Sequence, residues 1–136
     1  FLMLINRKTW LKRKIWQPTM NITNLIEQVK RHPDFSRAGM VLCHNGVVRE
    51  TSRAGQPVSG LRITVDYDRL KTILDEQRRR PGIVDIQVEI VENKDLTVGD
   101  DVMGLVVAGD IRENVIAVLA DTLDQIKKTV TRKTEF

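Results

Sequence analysis

The run from Val102 to Val130 constrains the fold of this chain most. Its first part, Val102 to Ala108, is an apolar segment that follows the turn Val98-Gly99-Asp100-Asp101, and it predicts a strand. In its second part Ile111, Val115, Val118, Leu119, Ile126 and Val130 recur at spacings of three, four and seven, the signature of an amphipathic helix. Asp110 with Glu113 three residues on gives that helix a capping-box-like start, Asp standing in for the usual Ser or Thr. A strand feeding a helix with one apolar face calls for a sheet on which helices pack.

The rest of the chain supplies that sheet. Asn21 or Thr23 can cap a short helix carrying Leu25, Ile26 and Val29, which ends before His32-Pro33. Met40-Val41-Leu42-Cys43 reads as a strand buried on both faces and continuing through Val47-Val48 after a kink or bulge at Gly46. Residues 51–60 hold two glycines and a proline and form a loop. Leu61, Ile63, Val65 and Tyr67 alternate with Arg62, Thr64 and Asp66, as in a half-buried strand. A second helix, from about Asp68 to Arg80, stops at Pro81-Gly82. The strand from Ile83 to Val91 places Ile86, Val88 and Ile90 opposite Asp85, Gln87 and Glu89. The expected fold class is α+β, a sandwich of helices on a mainly antiparallel sheet in the order α-β-β-α-β-β-α.

The net charge of +4 is unevenly placed. Residues 1–19 carry Arg7, Lys8, Lys12, Arg13 and Lys14 and no acid; without those five, 17 basic residues face 18 acidic ones, about −1 for residues 20–136. The body is therefore not a basic nucleic-acid binder, and no apolar run approaches the roughly 20 residues of a membrane span. The basic prefix, with Trp10 and Trp16, has three readings: a cationic targeting or membrane-surface segment, an ordered element docked through its tryptophans, or an extraneous segment. The last is the expectation, with residues 20–136 as one domain that begins where Pro18-Thr19-Met20-Asn21 precedes the first helix. One cysteine excludes an internal disulfide, no Cys/His cluster has metal spacing, and a cytoplasmic protein is expected.

Few residues advertise chemistry. There is no P-loop, no nucleophile elbow and no dinucleotide fingerprint. Cys43 lies in an apolar strand and reads as an inert residue, and His32 as a solvated turn residue. Asp100-Asp101 reads as a turn rather than a metal site, and Arg78-Arg79-Arg80 as a solvated helix end. Arg49 is either a surface arginine or an anion clamp, its guanidinium offering a fixed fork of donors. Arg112 sits in the first turn of the last helix, where free backbone N–H groups favour anions, but Asp110 and Glu113 compete there. Lys127 and Lys128 lie near the helix C-terminus, which favours cations without any functional reason. On one straight helix rising about 1.5 Å per residue, Arg112 and Lys127 are roughly 22 Å apart, so one substrate could meet both only in a site built from two chains.

Four short elements in order, Gly46-Val47-Val48-Arg49, Val65-Asp66-Tyr67, Val98-Gly99-Asp100 and Asp124-Gln125-Ile126-Lys127, make residues 39–135 similar to the large, catalytic subunit of molybdopterin synthase. The resemblance implies a hammerhead-like α/β sandwich acting as a homodimer, a heterotetramer once two copies of a small ubiquitin-like sulfur carrier dock. It implies molybdenum cofactor biosynthesis: sulfur passes from the carrier's C-terminal thiocarboxylate to cyclic pyranopterin monophosphate, giving molybdopterin, with no cofactor. Lys127 matches the family's catalytic lysine, Lys133 its second lysine with a one-residue shift, and Arg49 and Arg112 its substrate-side arginines. The chain departs from the pattern at three places. Ile111 stands for the histidine of a His-Arg pair, Glu92-Asn93 for a second such pair, and Val130-Thr131-Arg132-Lys133 for a Pro-x-Trp-Lys tail. The alternative is a non-catalytic homologue that binds a small anion or a partner protein.

Overall fold

The computed structural model describes residues 20–136, so the readings of the basic prefix lie outside the described residues. The elements are α1 (Ile22–Lys30), a 3-10 turn (Phe35–Arg37), β1 (Met40–Val47), β2 (Gly60–Val65), α2 (Tyr67–Arg78), β3 (Ile83–Ile90), β4 (Leu96–Thr97), β5 (Asp101–Gly109), α3 (Arg112–Gln125), a π-helical turn (Ile126–Val130) and β6 (Thr131–Glu135). They form two antiparallel three-stranded sheets, in the orders β1-β5-β3 and β4-β2-β6.

β5 is the centre of the first sheet, and from Val102 to Gly109 every residue is buried. Alternation along the strand assigns its two faces. Met103, Leu105 and Val107 join Ile73 of α2, Val115 and Val118 of α3, and Ile126 in one core. Val106 and Ala108 pack with Leu25 and Val29 of α1 on the other face. Gly104 lets α1 come close, since a Cβ there would lie 2.8 Å from Leu25 Cδ1 and 3.0 Å from Ile22 Cδ1. A smaller core of Leu61, Ile63, Val91, Leu96 and Val102 joins the second sheet to the first.

The helix starts have local causes. Asn21 caps α1, its Oδ1 accepting from the Thr23 N–H at 3.0 Å, and Asp66 caps α2 by accepting from the Arg69 N–H at 3.0 Å. Because Asp66 takes the cap, Tyr67 opens α2 instead of ending β2, and its hydroxyl donates to Glu92 Oε1 at 2.6 Å.

The α+β sandwich stands, with β4 and β6 as further strands. Four local expectations are corrected. Among the described residues β1 is an edge strand paired with β5, and Cys43 lies on its exposed face with Asn45 and Val47 rather than buried; the expected bulge at Gly46 is present. The register slip between Ile83 and Asp85 turns Asp85 inward, where it lies 3.4 Å from Arg78 and its Oδ1 accepts from the Ile86 N–H. The arginine run is tied down accordingly: Arg78 donates to the Ile86 carbonyl, and Arg80 pairs with Asp121 of α3. The last helix lacks its capping box. Ile111 is the N-cap with no side-chain bond, because Asp110 Oδ1 accepts from the Ile111 N–H and from Asn114 Nδ2 instead. Helical winding does reach Val130 as expected, regular to Gln125 and π-helical from Ile126 to Val130, and the chain then returns as β6 to pair with β2.

The turn between α2 and β3 rests on Gly82, at φ +81°. A Cβ there would also collide with the Asp110 and Asn114 side chains at the start of α3. Gly82→Ala is expected to destabilise the fold by more than about 1 kcal/mol, read as a lower urea midpoint at unchanged slope.

Candidate functional site: a cleft lined by lysines

The two sheets leave a cleft of about 640 Å³ where they meet. Its apolar floor comes from both: Leu61 and Ile63 of β2, and Ile90, Val102 and Met103 of β3 and β5. Its polar wall comes from the segment after α3. Lys127 and Lys128 lie on the π-helical turn and Lys133 on β6, opposite Ile63 in the strand register. A π-turn widens the helix by one residue per turn, and such turns recur at functional sites. Here two consecutive lysines both border the cleft. Arg53, from the loop before β2, is a fourth cation, against Asp124 as the carboxylate on this wall.

His44 and Asn45 of β1 close the near side. Asn45 Nδ2 donates to Asp101 Oδ1 at 2.9 Å, which fixes the end of β1 against the start of β5. The His44 imidazole is half-buried, and its Nε2 is shut off from solvent with no hydrogen-bond partner among the described residues. Leaving a buried polar group unpaired costs about 1–3 kcal/mol. Burial first, and then the Lys127 ammonium, hold the imidazole below its usual pKa and so favour its neutral form.

The structure thus brings Lys127 and Lys133 together and leaves both arginines elsewhere. Arg49 is exposed beyond the bulge and its Nε donates to the Thr51 carbonyl at 2.9 Å. Arg112 is exposed at the opposite end of α3, its Nε 3.5 Å from Glu113 Oε1. Sequence reasoning missed His44, Arg53 and Lys128 as site residues. His44 carried one usable signal: it alternates with Leu42 and so shares the inward side of β1. Arg53 carried none, because a loop residue's direction is not encoded by periodicity. Asp100 is a turn residue as expected, its Oδ2 accepting from the Thr97 N–H and hydroxyl. Among the described residues no group of three His, Cys, Asp or Glu side chains could hold a metal ion, and no helix is long and apolar enough to cross a membrane.

A depressed imidazole pKa fixes the sign of a pH effect. The unfolded chain takes up a proton near pH 6.5 while the folded one resists it, so stability is lost as pH falls below that value. The urea midpoint is expected to fall between pH 7 and 5.5, and His44→Gln to flatten that part of the profile.

The family model described as "MoaE protein" matches residues 16–129. Among curated proteins none matches. Solved structures do. The molybdopterin cofactor biosynthesis protein E of Burkholderia multivorans is 21% identical at TM-score 0.70, covering 88% of this chain and 82% of its own. Molybdopterin synthase from Staphylococcus aureus is 21% identical at TM-score 0.63, covering 76% of each chain. A chain from the complex of subunits 1 and 2 of the Helicobacter pylori molybdopterin-converting factor is 17% identical at TM-score 0.66, covering 88% of this chain and 80% of its own. At these identities the structural matches speak for the shared fold, and the family model speaks for descent.

Proposed function

The chain belongs to the MoaE family, and from that premise we propose that it is the large, catalytic subunit of a molybdopterin synthase in molybdenum cofactor biosynthesis. It moves sulfur from the C-terminal thiocarboxylate of a small carrier to cyclic pyranopterin monophosphate, and the product is the dithiolene of molybdopterin. The observation that carries this reading is the convergence of Lys127 and Lys133 on one cleft, with Arg53 and Lys128 beside them. Both the phosphate of the substrate and the thiocarboxylate of the donor are anions, and the exposed cations that line the cleft attract them. The apolar floor suits a flat heterocycle. A lysine amine can then serve as acid or base, or as the covalent partner of an acyl group. In this assignment Lys127 is the catalytic lysine and Lys133 the second.

The Helicobacter pylori relative is a complex of two subunits, which supports a small carrier as the partner here. Arg49 and Arg112 stand outside the cleft of their own chain, so a substrate role for Arg112 requires a homodimer in which it reaches the second copy's cleft. With two carriers that dimer becomes a heterotetramer, and its compartment is the cytoplasm. A second reading, a non-catalytic homologue, is favoured by one observation: the position of the family histidine holds Ile111, which is exposed and far along α3 from the lysines.

The test is reconstitution of the full chain with a thiocarboxylated carrier and cyclic pyranopterin monophosphate, followed by assay of dithiolene. Lys127→Ala is expected to lower the rate by about 100-fold or more while the thermal melt stays unchanged. Full activity in that variant would overturn the role of Lys127. A wild-type chain that binds the carrier and makes no product would establish the non-catalytic reading.

A further inference from the structure

Among the described residues four strands lie at sheet edges, and three of them are guarded. β3 carries Asp85, Glu89 and a register slip, β4 has two residues, and β6 carries Arg132, Lys133 and Glu135. Charge, irregularity and brevity are what keep edge strands from pairing with other chains. β1 lacks the first and the last: Met40–Val47 is eight residues long, without Asp, Glu, Lys, Arg or Pro. Its one register shift falls at the far end, between Gly46 and Val47. Val48, just beyond, is bonded on the β5 side, its N–H donating to the Asp100 carbonyl and its carbonyl accepting from Gly99. Alternation then turns the backbone N–H and C=O groups of Val41, Cys43, Asn45 and Val47 outward. We propose that β1 pairs with β1 of a second copy of this chain, antiparallel about a two-fold axis, joining two main sheets into one of six strands.

The free groups are self-complementary. Their midpoint is His44, so an axis there sets Cys43 opposite Asn45 of the second copy, and Val41 opposite Val47. The helix above is prepared for the same contact. α3 lies across β5 and β1. One flank faces α2 and the Gly82 turn, through the Asp121 pair with Arg80 and through Asn114. At about 100° per residue the other flank carries Arg112, Ile116, Leu119, Leu123 and Lys127. Ile116 is 52% exposed there. A helix over the gap between β5 and β1 stands roughly 5 Å from the axis, so the two copies of α3 run antiparallel about 10 Å apart, a packing distance for helices. Their apolar flanks then meet, and Arg112 of one copy comes to the end where the other carries Asp124 and Lys127. That end borders the second copy's cleft, which Gly46 and Val47 also line. The pairing stands apart from the sulfur-transfer reading; only the use of Arg112 at the cleft rests on it.

Sedimentation of the full chain reads the pairing without substrate. The expected mass is that of two chains. In this register the two Cys43 residues are diagonal neighbours about 7–8 Å apart, and a short bifunctional maleimide is expected to join these exposed thiols. Cys43→Pro removes an N–H that alternation leaves unused within the chain, and Ile116→Lys alters a side chain half in water. Each is expected to leave the circular dichroism unchanged and to weaken dimerisation at least about 30-fold, the worth of one interface hot spot. If Cys43→Pro does not fold, Ile116→Lys and the cross-link decide. A monomeric wild type overturns the inference, whether its edge stays open or is covered by residues 1–19. A dimer that gives no Cys43 cross-link, or that persists undiminished in a folded variant, overturns it too, since it then uses another surface. Either failure leaves the sulfur-transfer assignment to be judged by dithiolene formation alone.

Discussion

Burial of β5 on both faces and along both edges is the constraint from which the rest of the structure follows. A strand with β1 and β3 on either side satisfies its backbone groups laterally and leaves its side chains to be covered from above and below. α1 must cover Val106 and Ala108, and α2 with α3 must cover Met103, Leu105 and Val107. Each fully buried Leu, Ile or Val contributes roughly 1.5–3 kcal/mol, so this strand and its neighbours hold most of the apolar burial. The helices have little freedom about where to sit, because every alternate residue of β5 already faces one layer or the other.

The second sheet depends on the first in a looser way. β4 has two residues and β6 has a mostly exposed face, so β2 gains much of its support from Leu61, Ile63 and Val102 at the seam. The π-turn decides how that seam is closed. The π-turn leads directly into β6, which pairs with β2 from Thr131 to Glu135. Ile126 and Val130 are buried in the main core while Lys127 and Lys128 between them border the cleft. One local change of winding thus anchors the return strand and aims two cations.

This division explains what was legible in the sequence. The α+β class and the main elements were readable because a buried β5 and its covering helices impose clear periodicities, as at Val115 and Val118. The change to π-helical winding at the end of the last helix was not, because Ile126 and Val130 sit at a helical spacing that a π-turn also accommodates. Asp110 matched the capping pattern by composition, but Asn114 captured its carboxylate and left Ile111 as the cap. Of the site, Lys127 and Lys133 came from resemblance to a family rather than from pattern, since a lysine near a helix end carries no signal of its own. Arg53 and His44 depend on how the loop and β1 approach the π-turn, a tertiary matter that no local spacing records.

The location of the cleft has a physical logic beyond geometry. Four cations gathered on one wall repel one another, and a tightly packed core could not hold them at tolerable cost. At the seam they keep access to water until an anion replaces it, since each lysine is exposed even on the π-turn, whose Ile126 and Val130 are buried in the main core. His44 is the exception, since it projects from β1 on the side packed by the main core and is partly desolvated there. Its neutrality is then a consequence of where it sits, because burial and Lys127 act on it in the same direction.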